Sequence, residues 1–341
     1  MAINILVGDA GGNILGEVPL LHIEQVVWRN NGVGQTTATL PLLNLTRYEP
    51  LLRFGNTVLL QFDNGLPNWG GIVDTPRSWQ AGFFQVNLYS GEQLLEQRLT
   101  GKNEIYRQYS VGDLFRSAVV AANARAHTGV EAATPWYGGD LQDLDLHFKP
   151  LLDLATELTG DLSTADFYVT PAESDGRITF TAYLVNRRGA DLYGVSLVEG
   201  RNLAEVTMEE QGPIVNYWYT VGSGTSWYTN RYVAESYDLE SISAYGRRES
   251  SEIQTSISSP TMLDSIGERS LEDTANPRTA VTLLAISTPP ALFSQYDIGD
   301  SLPVSIPSYG FQGFDTRVRL LGREYLPDAG LCNLLVEEFV V

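Results

Sequence analysis

Cysteine is almost absent: Cys332 stands alone, which excludes an internal disulfide framework and any site built from several thiolates. In the run Leu331-Cys332-Asn333-Leu334-Leu335-Val336 it reads as a small hydrophobe in a strand. Histidine is nearly as scarce, with His22, His127 and His147 far apart and no HExxH pair, so neither a catalytic metal nor another cofactor is expected. Positive charge is short as well. Lys and Arg number 22 against 41 Asp and Glu, a formal charge of −19, which excludes a surface that grips nucleic acid through clustered cations. Long apolar runs are missing too: nothing approaches the roughly 18 residues that cross a bilayer. The opening MAINILVGDAGG reaches Gly and Asp before any apolar segment long enough for a secretion signal. The chain is therefore expected to be made in the cytoplasm and not to insert into a membrane.

What is present is a folded, acidic chain of 341 residues, 43% hydrophobic and 10% aromatic, long enough for about two domains. From Ile3 to Asn103 short extended runs alternate with turn residues. Thr36 to Leu40 and Phe84 to Tyr89 show the period of two of half-buried strands, and Asn30-Asn31-Gly32 and Asp63-Asn64-Gly65 mark turns. These features predict a small antiparallel barrel or sandwich. After Tyr109, Ser110-Val111-Gly112-Asp113 resembles a helix cap leading into Leu114, Phe115, Ala118, Val119 and Ala122. A second helix is predicted from Pro150 to Gly160. Extended runs at 167–169 and 177–183 flank a loop from Pro171 to Gly176, so 104–205 reads as a small α+β unit. Strands are predicted at 214–221 and 230–235, with a further extended stretch at 241–249. A helix carrying Met262, Ile266 and Leu271 should stop before Asn276-Pro277. Strands at 300–306, 316–324 and 331–340 close the chain, giving a mainly β fold with α+β insertions.

A weak internal repeat links the two ends. Phe54-Gly55-Asn56-Thr57 to Gln61 parallels Ile298-Gly299-Asp300-Ser301 to Ser305, a Gly-Asx turn followed by an alternating strand. Each is followed by a strand holding a valine (Val73; Val318) and then by a closing strand (Phe84 to Leu88; Leu331 to Glu337).

Catalytic constellations are few. There is no GxSxG, no GxxxxGK[ST] and no GxGxxG; Gly222-Ser223-Gly224 reads as a turn. Asp140, Asp143 and Asp145 lack the glycine and distal glutamate of a calcium loop and read as a solvated acidic segment. The pairs Glu209-Glu210 and Glu337-Glu338 are commonplace in so acidic a chain. No enzymatic activity is expected. Tyr217, Trp218 and Tyr219, with Trp227, Tyr228 and Tyr232, fit a strand core and subunit interface better than a carbohydrate-stacking platform, because Tyr and Trp pair an apolar ring with a polar tip. That platform, with a glutamate pair as acid and base, is the alternative reading. Arg247-Arg248, beside Glu249 and Glu252, suggests an ion-paired strand or interface. The candidate contact residues are thus Tyr217, Trp218, Tyr219, Trp227, Tyr245, Arg247 and Arg248.

The chain as a whole resembles the tail-tip and baseplate hub proteins of tailed phages, the minor tail proteins of long-tailed phages above all. Val27 to Gly34 followed by Thr37-Ala38-Thr39-Leu40-Pro41 looks like the family's opening, and Leu52 to Val58, Trp69 to Val73 and Ser90 to Arg98 continue it in order. Ser241-Ile242-Ser243-Ala244-Tyr245-Gly246-Arg247-Arg248-Glu249 and Tyr296-Asp297-Ile298-Gly299-Asp300 carry it near the end. The resemblance implies a homotrimer in which each chain supplies two tube-type antiparallel β-barrels and two smaller domains, a pseudo-hexameric ring matching a six-fold tail tube to a three-fold tip. The corresponding division is a first barrel at 1–103, a small α+β domain at 104–205, a second barrel at 206–235 and 285–341, and a small inserted domain with one helix at 236–284. Implied partners are a distal tail protein ring, a tape-measure protein and a tail fibre or spike, in a virion tail assembled in the host cytoplasm. DNA would pass the central channel without specific binding. Since the chain ends at Val341 in the last predicted strand, wall cutting is expected to come from another protein.

Overall fold

The computed structural model describes residues 3–135, 141–160, 163–211, 215–223, 231–254, 257, 259–308 and 314–337. The chain opens with β1 (Ile3–Gly8), β2 (Ile14–Glu17), β3 (His22–Arg29) and β4 (Gln35–Pro41). Along β4, Thr36, Ala38 and Leu40 are buried while the residues between them are not, so one face meets the core. A short helix α1 (Leu45–Tyr48) leads to β5 (Thr57–Phe62), β6 (Trp69–Trp79) and β7 (Phe83–Ser90). The strands lie side by side as β3-β4-β7-β6-β5-β1-β2, all antiparallel. Both expected turns hold left-handed residues, Asn31 at φ 55° and Gly65 at φ 82°, values Asn and Gly tolerate.

The middle of the chain carries α2 (Gln93–Glu96), β8 (Glu104–Tyr109), α3 (Val111–Arg125), β9 (Val130–Ala132), β10 (Gln142–Leu146), α4 (Leu151–Gly160), β11 (Asp166–Ser174) and β12 (Arg177–Val185). At the start of α3 the Asp113 N–H donates to Ser110 Oγ at 3.4 Å, and Leu114, Phe115, Ala118, Val119 and Ala122 are buried. Helix α4 follows Pro150 directly and buries Leu151, Leu154, Ala155 and Leu158. The loop expected at 171–176 is shorter than its proline suggested. Strand β11 runs on to Ser174, and only Asp175 (φ 52°) and Gly176 (φ 72°) make the turn, the pair of left-handed residues that suits the twist of a two-residue hairpin.

Then follow β13 (Leu197–Val198), β14 (Leu203–Gln211), β15 (Tyr217–Val221), β16 (Val233–Tyr237), α5 (Leu239–Tyr245), β17 (Glu249–Ile253), α6 (Pro260–Thr274), β18 (Arg278–Ile286), β19 (Ser301–Ile306), β20 (Phe314–Leu326) and β21 (Leu331–Val336). Two findings differ from expectation here. Strands β15 and β16 do not join the large sheet; with β17 they form a separate three-stranded sheet packed against α6. The cause is the pairing of β14 with β18 from Leu203/Ala285 to Gln211/Arg278, which takes the chain out of the large sheet at 211 and back at 278. The stretch 241–249 is not extended throughout, because Asp238 Oδ1 accepts the N–H groups of Glu240 and Ser241, both at 2.9 Å, and starts α5. Gly246, at φ 78°, ends it.

The repeat is visible in the strand pairing. The front unit runs β3-β4-β7-β6-β5 and the back unit β14-β18-β21-β20-β19, the same order of five strands. The Gly-Asx turns make the same two bonds. Gly55 N–H donates to Val73 O (2.9 Å) and Val73 N–H to Asn56 O (2.8 Å); Gly299 N–H donates to Leu320 O (2.7 Å) and Leu320 N–H to Asp300 O (2.9 Å). Each long strand is irregular just beyond that clamp, between Asp74 and Arg77 in β6 and between Leu320 and Gly322 in β20. The units join edge to edge where β3 pairs with β20, from Val26/Tyr325 to Arg29/Gly322. One apolar core, including Leu40, Trp69 and Phe84 in front and Leu283, Phe293 and Tyr325 behind, runs through both. A second gathers the residues of α3, α4, β11 and β12 with Leu263 and Ile266 of α6. Among the described residues the large sheet runs from β14 to β2 without closing on itself.

Candidate functional site

The inserted sheet presents the aromatic candidates. In β15, flanked by β16 and β17, Tyr217 is in register with Tyr237 and Glu249, Tyr219 with Glu235 and Ser251, and Val221 with Val233 and Ile253. Residues in register share a face, and this face points away from α6. Tyr237, Val233 and Ile253 are exposed on it. Tyr217 stacks on Tyr237 with ring centres 5.3 Å apart, and the Arg247 guanidinium lies 3.7 Å from the Tyr217 ring centre. Arg247 also pairs with Glu249 at 2.5 Å and donates to Tyr219 Oη at 3.0 Å. Tyr217 Oη donates to Glu235 at 2.6 Å, and that bond to a carboxylate pushes its hydroxyl up to about 12.

Trp218 goes the other way, its Nε1–H donating to Thr274 Oγ1 of α6 at 3.0 Å. Tyr245 is exposed as the last residue of α5. Arg248 acts here through its backbone, its carbonyl accepting the N–H groups of Asn216 (2.9 Å) and Tyr217 (3.1 Å). Of the seven sequence candidates the structure thus gathers Tyr217, Tyr219 and Arg247, with Arg248 at the edge. It sends Trp218 to the helix side and leaves Tyr245 nearby; Trp227 lies outside the described residues. Tyr217 has its π-face occupied by Tyr237 and Arg247, which argues against a sugar stacking there. Sequence reasoning missed Asn216. Fully buried, it donates to Gly246 O (2.8 Å) and Ser241 Oγ (3.2 Å) and accepts from Arg248 N–H (2.8 Å), fastening the end of α5 to β15. A lone Asn inside the run Ile214-Val215-Asn216-Tyr217 was the only signal available.

A cleft of about 250 Å³ lies where the front unit, the middle unit and the Gly299 turn meet, lined by Trp28, Trp69, Glu92, Pro171, Arg188 and Asp297 among others. Its polar groups are mostly engaged with one another. Val169 N–H donates to Glu92 at 2.8 Å, and burial pushes the Glu92 carboxyl up against the opposing pull of bonds from Ser90 and Val169. Arg188 lies over the Tyr168 ring at 4.3 Å and 3.6 Å from Asp297. Beside it the buried Asp166 accepts from Asn30 Nδ2 (2.5 Å) and Arg188 N–H (2.5 Å) and pairs with Arg319. Because these residues come from segments far apart in the sequence, no local pattern announced the network, and its chemistry is that of a joint. Among the described residues no group of three or more His, Cys, Asp or Glu could hold a metal ion, and no helix is long and apolar enough to cross a membrane. Of the three suspected calcium-loop aspartates, Asp140 lies outside the described residues. Asp143 accepts from Gln108 N–H (2.7 Å), which lowers its carboxyl, and Asp145 pairs with Arg107 at 2.6 Å.

No protein-family model matches the chain, and no curated protein does. Solved structures do. The 43 kDa tail protein of prophage MuSo2 from Shewanella oneidensis superposes with a TM-score of 0.59 at 13% identity, covering 99% of this chain and 98% of that one. The tail protein from Neisseria meningitidis gives 0.59 at 13% identity over 99% and 97%. The prophage tail protein gp18 from Listeria monocytogenes gives 0.56 at 13% over 98% and 94%. Over nearly its whole length the chain therefore has the fold of the prophage tail proteins.

Proposed function

We propose that this chain is a non-enzymatic structural subunit of a phage tail tip, a hub that assembles as a homotrimer. The observation that carries the reading is the duplicated five-strand unit joined edge to edge, β3 on β20. Two like units per chain turn three copies into a ring with six similar walls, which matches a six-fold tube on one side and a three-fold tip on the other. In this reading the front unit and the back unit each supply a tube-type barrel wall. The stretch from β8 to β12 is the first accessory domain, and the insert between β14 and β18 is the second. The fold shared with prophage tail proteins supports it.

The distal tail protein ring would bind above, a tape-measure protein within, and a fibre or spike below. The exposed face carrying Tyr217, Tyr219 and Arg247, with Tyr245 and Arg248 beside it, is the contact surface assigned to one of these neighbours; Trp218 supports it from the helix side. The formal charge of −19 per chain suits a channel that DNA crosses, because acidic walls repel phosphate and let the genome slide. Light scattering across a concentration series tests this. The expected mass is that of three 37.5 kDa chains, unchanged when duplex DNA is added. A monomer at every concentration, or a complex with DNA, would overturn it.

A further inference from the structure

The duplicated unit assigns the seam by which one copy meets the next. Inside the chain, the outer edge of β20 is covered in two parts: β19 pairs with residues 314–319 and β3 with residues 322–325. In the front unit β5 covers Trp69 to Ile72 of β6 in the same way, but among the described residues no strand covers the same edge from Asp74 to Trp79. The back unit has the matching vacancy. Its first strand, β14, pairs with β18 on one side, and beyond a bridge of Leu203 to Glu199 no strand is paired with its other side among the described residues. Each unit thus repeats half of the internal joint and leaves that half bare.

The register follows from the strand pairings inside the chain. Trp79 opposes Phe84 and Tyr325 opposes Cys332, and these partners hold equivalent places two residues after Gly82 and Gly330, so Trp79 corresponds to Tyr325. By the same step Arg77 corresponds to Arg323, opposite Val86 and Leu334. Gln25 opposes Thr37 as Thr207 opposes Thr282, so Val26 corresponds to Met208 and Val27 to Glu209. Exposure agrees with a missing partner on both sides. Tyr325 is 1% exposed under β3, whereas Trp79 is 57% exposed. Val26 is fully buried, whereas Met208 is only partly so.

We propose that β14 of one copy pairs antiparallel with residues 74–79 of β6 in the next, Met208 opposite Trp79 and Glu209 opposite Ser78. A Met against an aromatic ring is a favourable contact. The joint is head to tail, so it propagates until a ring closes, and it covers β14 and residues 74–79 of β6, edges that would otherwise invite promiscuous pairing. This seam rests on the reading of the chain as a self-associating hub, and the test separates the two.

The full chain carrying Ser78→Cys and Glu209→Cys is oxidised and run on a denaturing gel, with each single variant as control. Cβ atoms of directly opposed residues lie about 4.5–5.5 Å apart, close enough for a disulfide after small adjustment. The native Cys332 is buried and does not compete. The expected result is covalent dimer and trimer from the double variant and only monomer from each single one. A second variant, Trp79→Asp, should weaken self-association about tenfold or more, as removal of a central aromatic anchor does, with the circular dichroism of the subunit unchanged. Self-association without the cross-link, and with Trp79→Asp at full affinity, would overturn the seam and leave the hub standing. No self-association at any concentration would overturn both.

Discussion

The front and back units carry the same five-strand order and the same Gly-Asx clamp, yet they fill their interiors differently. Where the front unit opposes Leu40 with Phe84, the back unit opposes Ala285 with Cys332 at the equivalent place. The smaller pair is accompanied by Tyr325, buried against Phe293 at 6.0 Å and Phe62 at 6.1 Å. Strand order is thus set by turns and pairing, while core volume can be supplied from different strands so long as the total packs densely. The first connection differs even more. The front unit turns from β3 to β4 through Asn30 to Gly34, whereas the back unit places a whole sheet and the helices α5 and α6 between β14 and β18. Insertion there is tolerated because both strands remain held by their neighbours and the ends of the excursion stay close.

The largest expected effect breaks this comparison at its core. Phe84→Ala should cost about 3–5 kcal/mol, since a fully buried ring leaves a cavity in rigid surroundings. Cys332→Ala, at the equivalent place, should cost about 1 kcal/mol, because little more than a sulfur atom is lost. Urea denaturation of both variants checks it, and equal losses would mean the two interiors are packed alike after all.

The clamp gives the next effect, since the same turn sits in different surroundings. Gly55 and Gly299 have φ of 83° and 91°, so alanine is strained at either by about 1–2 kcal/mol. A Cβ on Gly55 meets nothing within 4 Å, but on Gly299 it would lie 2.4 Å from the Arg188 carbonyl oxygen. Gly299→Ala should therefore cost about 1–3 kcal/mol more than Gly55→Ala, the usual range for forced overpacking. Paired melting curves settle it, and identical midpoints would show that the loop carrying Arg188 yields freely.

The repeat was legible because Gly-Asx followed by an alternating strand is a local pattern, and so were α3, α4 and α6, whose ends are fixed by Ser110, Pro150 and the Asn276-Pro277 pair. Helix α5 was not. Ser241-Ile242-Ser243-Ala244-Tyr245 alternates like a strand, and the outcome turned on the Asp238 cap and the Gly246 stop. The separate sheet of β15, β16 and β17 was equally hidden, because which strand pairs with which is decided by contacts far apart in sequence. The candidate surface was half legible. Tyr217 and Tyr219 share a face by period two, which also dictates that Trp218 leave it. Asp166 and Arg319 are 153 positions apart, beyond the reach of any local motif.

The smallest expected effect lies at the joint between the regions and has a definite sign. Glu92 has its carboxyl raised by burial, so the folded state holds its proton more tightly than the unfolded chain does. That contribution to stability is complete below the ordinary carboxylate value and declines as pH rises from there through the folded-state value, because the buried group must then ionise or the fold must open. Glu92→Gln keeps an oxygen to accept the Val169 N–H and removes the ionisation. The variant should match the parent near pH 4 and become relatively more stable as pH rises from there towards 8. Melting temperatures over that range measure it. A constant offset would assign Glu92 a packing role alone, whereas a loss that grows with pH would mean that the ionised carboxylate itself secures the front unit to the middle one.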